Sequence, residues 1–198
     1  MKRFSFKDLR FSASENLQNN RKIIGQKEFS KSPAFSPDGF IERQEYLSKL
    51  RFGARDSSYC GCGWIAAYNL LHAAGKDTDI PVLISEAEKG AVLKGVFGTN
   101  PFFIRKLLSG FGIELRLLPK RLLLSGKMKR GFIYYLRRNF SGHFAAFTKE
   151  DGKYRFYNVG KPPYMVSADE LFRRERPILA LVFAEREPKG SQKLKTED

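Results

Sequence analysis

Two cysteines, two histidines and one asparagine are the residues of this chain whose types and spacing could do covalent chemistry. Cys60 and Cys62 stand one residue apart in Asp56–Leu71, DSSYCGCGWIAAYNLL, at the front of an apolar run. Four readings compete: a nucleophile, half of a metal site, a redox pair, or two small buried residues. A thiol attacks as the thiolate, and a free cysteine titrates near pH 8.5. The positive end of a helix favours the thiolate, and a neighbouring imidazole takes its proton. Cys62 has the first if a helix opens at Gly63, and its own N–H could then serve an oxyanion hole. Gly61 and Gly63 would let backbone approach a substrate carbonyl. Cys60 is a small neighbour, a resolving thiol or the alternative nucleophile.

The histidines narrow the second requirement. His72 lies ten residues after Cys62, about 15 Å along the same helix, and cannot reach it. His143 remains. It opens the run HFAAFT, which Asp151-Gly152 links to KYRFYNV as a hairpin. With those two as the turn, Glu150 pairs with Lys153, and Asn158 stands diagonal to His143 on one face. A four-residue loop would set them directly opposite. Ala145, Phe147, Tyr154 and Phe156 lie along that face as core. An Asn that accepts from one ring N–H leaves the other nitrogen for a thiol.

The elements that must position these residues read as follows. GWIAAYNLLHAA (63–74) is a helix stopped by Gly75. VLISEAEKGAVL (82–93) is a second. Asn100 caps a third, PFFIRKLLSGF, with Pro101 at its first position. Residues 39–50 have a weak helical period. IELRLLP (113–119), FIYYLRR (132–138), HFAAFT, KYRFYNV and PILALVFA (177–184) read as strands. Ser167 with Glu170 is a capping box for ADELFRR. Helices first and antiparallel strands second is an α+β pattern. Residues 1–40 are polar and basic and read as an extended arm. Residues 41–186 form the domain, and 187–198 are a charged tail.

Nucleophile, distant His on a strand, then Asn on the next strand resembles the papain-like cysteine peptidases. The match is closest to the bacterial branch that removes double-glycine leaders from bacteriocins. Cys62-Gly63-Trp64-Ile65-Ala66 is similar to that branch's Cys-Gly-x-x-Ala. His143-Phe144-Ala145 and Asn158-Val159-Gly160 are similar to its later motifs, and the resemblance covers roughly residues 56–184. It implies a helical half with Cys62 on its central helix, packed on an antiparallel sheet that carries His143 and Asn158. It implies a thioester route to amide hydrolysis, with deamidation or acyl transfer at the same site, on a peptide or protein substrate. Asp56 stands where that family places an oxyanion-donating Gln, so Ser57 or Ser58 would substitute. Trp64 is read as packing rather than substrate stacking.

Other classes fit less well. Cys60, Cys62, His72 and His143 lack zinc-finger spacing, and C-x-C is not the redox C-x-x-C, so neither a metal nor another cofactor is expected. The net charge is +15, and between Pro101 and Phe140 ten Lys/Arg (Arg105, Lys106, Arg116, Lys120, Arg121, Lys127, Lys129, Arg130, Arg137, Arg138) face one acid, Glu114. That field suits an acidic or polyanionic partner. No nucleic-acid motif accompanies it. The alternative function is therefore a non-catalytic module that binds peptides or polyanions through 101–140. No apolar run is long enough for a membrane span. No secretory signal opens the chain, so a cytoplasmic protein with reduced thiols is expected.

Overall fold

The computed structural model describes residues 11–159 and 165–186. Its elements run α1 (Ala13–Ile24), β1 (Arg51–Phe52), β2 (Arg55–Asp56), α2 (Ser57–Cys60), α3 (Cys62–Ala73), α4 (Ile80–Glu88), α5 (Pro101–Gly110), β3 (Arg116–Leu118), α6 (Lys120–Leu124), β4 (Met128–Leu136), β5 (Gly142–Glu150), β6 (Lys153–Tyr157), β7 (Met165–Val166), α7 (Ala168–Glu175) and β8 (Leu179–Arg186). The fold is α+β. Six strands form an antiparallel sheet in the order β3-β8-β4-β5-β6-β7, and β1 and β2 form a separate ribbon. No helix of the described residues is long and apolar enough to cross a membrane.

Helix α3 is apolar on nearly every side, as a helix in the middle of a domain must be; Cys62, Trp64, Ile65, Ala66, Ala67, Leu70 and Leu71 are buried along it. It ends where Gly75 takes φ +65°, a left-handed conformation that glycine adopts without penalty. Three of the later helix starts are capped as their sequences require. Asp79 accepts from the Val82 amide, Asn100 from Phe102, and Ser167 from Glu170. Each such cap is worth about 1 kcal/mol.

The sheet buries both faces. Phe132, Phe144, Ala146 and Phe183 meet α3 on one side. Ile133, Tyr135, Ala145, Phe147, Phe156 and Val182 meet Leu123, Leu171 and Phe172 of α6 and α7 on the other. Alternate residues of each strand point to opposite faces, so both layers come from the same strands. Asp151 (φ +47°) and Gly152 (φ +80°) form the two-residue turn between β5 and β6. The pairs Glu150–Lys153, Phe147–Phe156 and Ala146–Tyr157 follow the register that this turn imposes.

Several expectations differ from the structure. Residues 13–24 of the arm are a docked helix, not an extended segment. Its apolar content is low, and polar anchors hold it instead. The buried Asn16 carboxamide donates to the Gly53 carbonyl (2.8 Å) and to Glu88 Oε1 (2.6 Å), and Asn20 pairs with the Arg51 backbone in both directions. Residues 39–50 hold only a 3₁₀ turn at Gln44–Tyr46. The second helix starts earlier than expected, at Ile80, and stops at Glu88. The strand expected over 113–119 shrinks to three residues. Gly160 and the 187–198 tail lie outside the described residues.

Candidate active site

The polypeptide makes a one-turn helix, α2, before the helix that carries Cys62. Asp56 caps α2 by accepting from the Tyr59 amide (3.2 Å) and from the Ser58 hydroxyl. The chain turns at Gly61 and restarts as α3 at Cys62. A Cβ at Gly61 would lie 2.5 Å from the Ser57 carbonyl oxygen, and one at Gly63 would lie 2.8 Å from Thr99 Oγ1. Close internal packing therefore requires both glycines, and Thr99 occupies the space beside Gly63.

Cys62 is 7% exposed. The amides of Phe144, Cys62 itself and Gly63 act to favour its thiolate. The last two are first-turn N–H groups of α3. The Phe144 amide is within reach because β6 leaves β5 after the Ala146–Tyr157 pair. Beyond it, no strand among the described residues flanks that edge of β5. Burial pushes the Cys62 thiol above its ordinary value, and the three amides and the Arg137 cation pull against that rise. The thiol is therefore protonated at neutral pH.

His143 is the residue next to Phe144. Strand alternation puts its ring on the sheet face of Tyr135, Ala145 and Phe147. It meets the Tyr135 ring edge-on, centroids 5.5 Å apart. Its Nε2 lies 2.6 Å from the main-chain oxygen of Asn158. A carbonyl only accepts, so Nε2 carries the proton and Nδ1 is the basic nitrogen. Burial drives the His143 pKa down from 6.5 to about 4; Arg137 lowers it further, while the Asn158 carbonyl and Glu175 oppose the shift. Arg137 thus acts on both the thiol and the imidazole. It is anchored by Glu175 (Nε to Oε2, 2.9 Å) and by the Tyr135 hydroxyl (3.3 Å).

Asn158 reaches His143 through its backbone rather than its side chain. The residue has φ +60°, and its carboxamide turns to Gln44, donating from Nδ2 to Oε1 at 2.7 Å. Gln44 in turn donates from Nε2 to the Ser58 carbonyl (2.9 Å). The side chains considered as oxyanion donors are committed elsewhere. Ser57 is fully buried and accepts from the Trp64 indole (3.1 Å), and the Ser58 hydroxyl is bound to Asp56. Trp64 is fully buried and packs internally. Cys60 donates to the Asp56 and Phe52 carbonyls (3.2 and 3.7 Å), and burial pushes its thiol up to about 12. It is poorly placed as the alternative nucleophile. His72 binds the Asp38 carbonyl (2.7 Å), distant in role from both thiols. Both cysteines are free, and among the described residues no group of three or more His, Cys, Asp or Glu could hold a metal.

Cys62 borders a cleft of about 700 Å³. One wall is the loop after α4, with Leu93, Val96 and Phe97. The other is the β4–β5 hairpin, with Tyr134, Leu136, Phe140 and Phe144. His143 stands between the lining residues Gly142 and Phe144, with its ring on the opposite sheet face. Phe97 and Phe140 are 71% and 78% exposed at the rim. Gln44, Tyr135 and Glu175 escaped the sequence reading, and Arg137 entered it only as part of the basic 101–140 segment. None sits in a motif, and only tertiary contact gives them a place here. The chain matches no known family model and no curated protein.

Proposed function

We propose that the protein is a cysteine peptidase or a related amide hydrolase that works through an acyl-enzyme at Cys62. The observation that carries this reading is the sulfur itself. It lies at the start of a buried helix and lines an apolar cleft together with Phe144, the residue that follows His143. The substrate is an amide flanked by apolar groups, matching walls of Leu93, Val96, Phe97 and Leu136.

In this reading Cys62 Sγ attacks the carbonyl carbon. The C–S bond forms, the carbonyl electrons move to oxygen, and the thiol proton passes to His143 Nδ1 through water, since the ring lies on the other face of the sheet. The first-turn amides of α3 face the developing oxyanion. Collapse breaks the C–N bond, and the amine leaves with the proton from His143. Water then hydrolyses the thioester through the same imidazole. Both groups are neutral at rest, so proton transfer accompanies attack rather than preceding it.

The test is alkylation of each cysteine by iodoacetamide at pH 7, resolved by peptide mapping. His143→Ala should slow Cys62 by about tenfold or more and leave Cys60 unchanged. Equal rates in both chains would sink the proposal.

One observation favours the non-catalytic reading: the resting thiol and imidazole form no ion pair, while the cleft rim exposes aromatics suited to gripping a peptide. The basic 101–140 segment supports a polyanion less well. Arg130 is paired with Glu185, Arg137 with Glu175, and Lys120 lies over the Phe172 ring.

A further inference from the structure

The residue that orients His143 departs from what a Cys-His-Asn arrangement implies. There the carboxamide would accept from the imidazole. Here the acceptor is the Asn158 main-chain oxygen, 2.6 Å from Nε2. That oxygen can point at the ring only because residue 158 breaks out of the strand with φ +60°. For a side chain other than glycine this conformation is disfavoured, and Asn is among the few residues that tolerate it.

What holds the strained residue in place is visible. Asn158 is 5% exposed. Its Nδ2 donates to Gln44 Oε1 at 2.7 Å, and its Oδ1 receives the Gln44 backbone amide at 3.4 Å. The two residues thus close a ring of two hydrogen bonds in opposite directions. Gln44 reaches onward with Nε2 to the Ser58 carbonyl, 2.9 Å away, on the turn that precedes Cys62. One half-buried side chain therefore ties the residue that orients the imidazole to the helical unit that carries the thiol. These residues are separated by 114 and 14 positions along the chain.

We propose that Gln44 is a positioning residue: through the Asn158 carboxamide it fixes the left-handed backbone that aims the Asn158 carbonyl at His143 Nε2, so that Nδ1 is the free base. The inference deepens the reading of Cys62 and His143 as a catalytic pair and rests on it for its kinetic consequence. It does not rest on it for the structural one. Three consequences separate it from a side-chain triad. Asn158→Gly removes the carboxamide but accepts the positive φ, so it should keep the orientation. Asn158→Asp removes the donor to Gln44 Oε1 and puts two acceptors face to face, so it should lose it. Gln44→Ala should matter only while the Asn158 carboxamide is present.

The experiment uses the full chain with two readouts. The first is the His143 tautomer from ring ¹⁵N spectra, assigned by the loss of its signals in His143→Gln. The second is Cys62 alkylation by iodoacetamide at pH 7. The unsubstituted chain should show the Nε2–H tautomer. Asn158→Gly should keep that tautomer and an alkylation rate within about threefold. Asn158→Asp and Gln44→Ala should give mixed tautomers and rates about tenfold lower, a modest loss for a misplaced base. Gln44→Ala should cost nothing further in the Asn158→Gly chain, because its effect runs through the missing group. Loss of tautomer and rate in Asn158→Gly with both kept in Asn158→Asp would overturn the proposal in favour of the side chain. A full Gln44→Ala effect in the Asn158→Gly chain would overturn it too, assigning Gln44 to Ser58 instead. If alkylation ignores His143 altogether, the peptidase reading fails, and the tautomer still decides the role of Gln44.

Discussion

His143 should make the folded chain acid-sensitive in a window set by its burial. Its pKa is about 4 in the folded protein against 6.5 for a free imidazole. Below pH 6.5 the unfolded chain binds a proton that the folded chain refuses, so stability falls as pH drops and levels off below about 4. One proton contributes about 1.4 kcal/mol per pH unit, and the whole interval comes to roughly 3 kcal/mol. The groups that face the ring are Tyr135 and Arg137 from the β4 side and Glu175 from α7. Arg137 adds to the penalty, and Glu175 offsets part of it. The assay is urea unfolding between pH 4.5 and 7.5, followed by the fluorescence of Trp64, the single tryptophan, which is fully buried. Carboxylates such as Asp38, whose pKa the Arg155 contact lowers to about 2, add their own acid loss. They are common to the unsubstituted chain and to His143→Gln, so the difference between the two isolates His143. That difference should fall as pH is lowered from 6.5, with a slope near one proton. A difference constant to within about 0.5 kcal/mol, the precision of such extrapolations, would refute the burial argument. It would also remove the reason for treating His143 as the neutral base at physiological pH.

Glu88 should respond in the opposite sense. It is buried with only Oε1 bonded, to Asn16 and Gly53, and burial raises its pKa. Its stabilisation is complete below pH 4.5 and declines as pH rises through the raised value. Glu88→Gln should therefore gain on the unsubstituted chain as pH rises in urea titrations. Glu88→Ala should lose about 2 kcal/mol and release α1 to proteolysis. Phe183 is fully buried and stacks on Phe132 at 4.9 Å, so Phe183→Ala should cost about 3–5 kcal/mol, read as a lower urea midpoint with an unchanged slope.

Local chemistry made several features legible in the sequence. Asp151-Gly152 set the β5–β6 register, because only residues tolerant of positive φ close a two-residue hairpin. Asn100-Pro101 and Ser167 with Glu170 marked helix starts, because each supplies an acceptor to an otherwise unpaired amide. The apolar run after Cys62 identified the buried helix. Elimination among two histidines put His143 forward, and strand alternation assigned it a face with Ala145 and Phe147. All of these depend on groups within a few residues of one another.

Contacts between distant segments decided the rest. The arm looked unstructured because Asn16 and Asn20 are polar, yet each fits backbone groups that only the folded β1 region and Glu88 bring together. Gln44 carries no motif, and its role exists only where residues 58 and 158 converge on it. The Asn158 side chain turned away from His143 because a backbone torsion, invisible in residue type, gave the imidazole a main-chain oxygen instead. Residue types and spacing thus determined which groups this protein has for chemistry. The tertiary structure decided which atom of each group faces another, because hydrogen-bond direction is fixed by the approach of segments far apart in the chain.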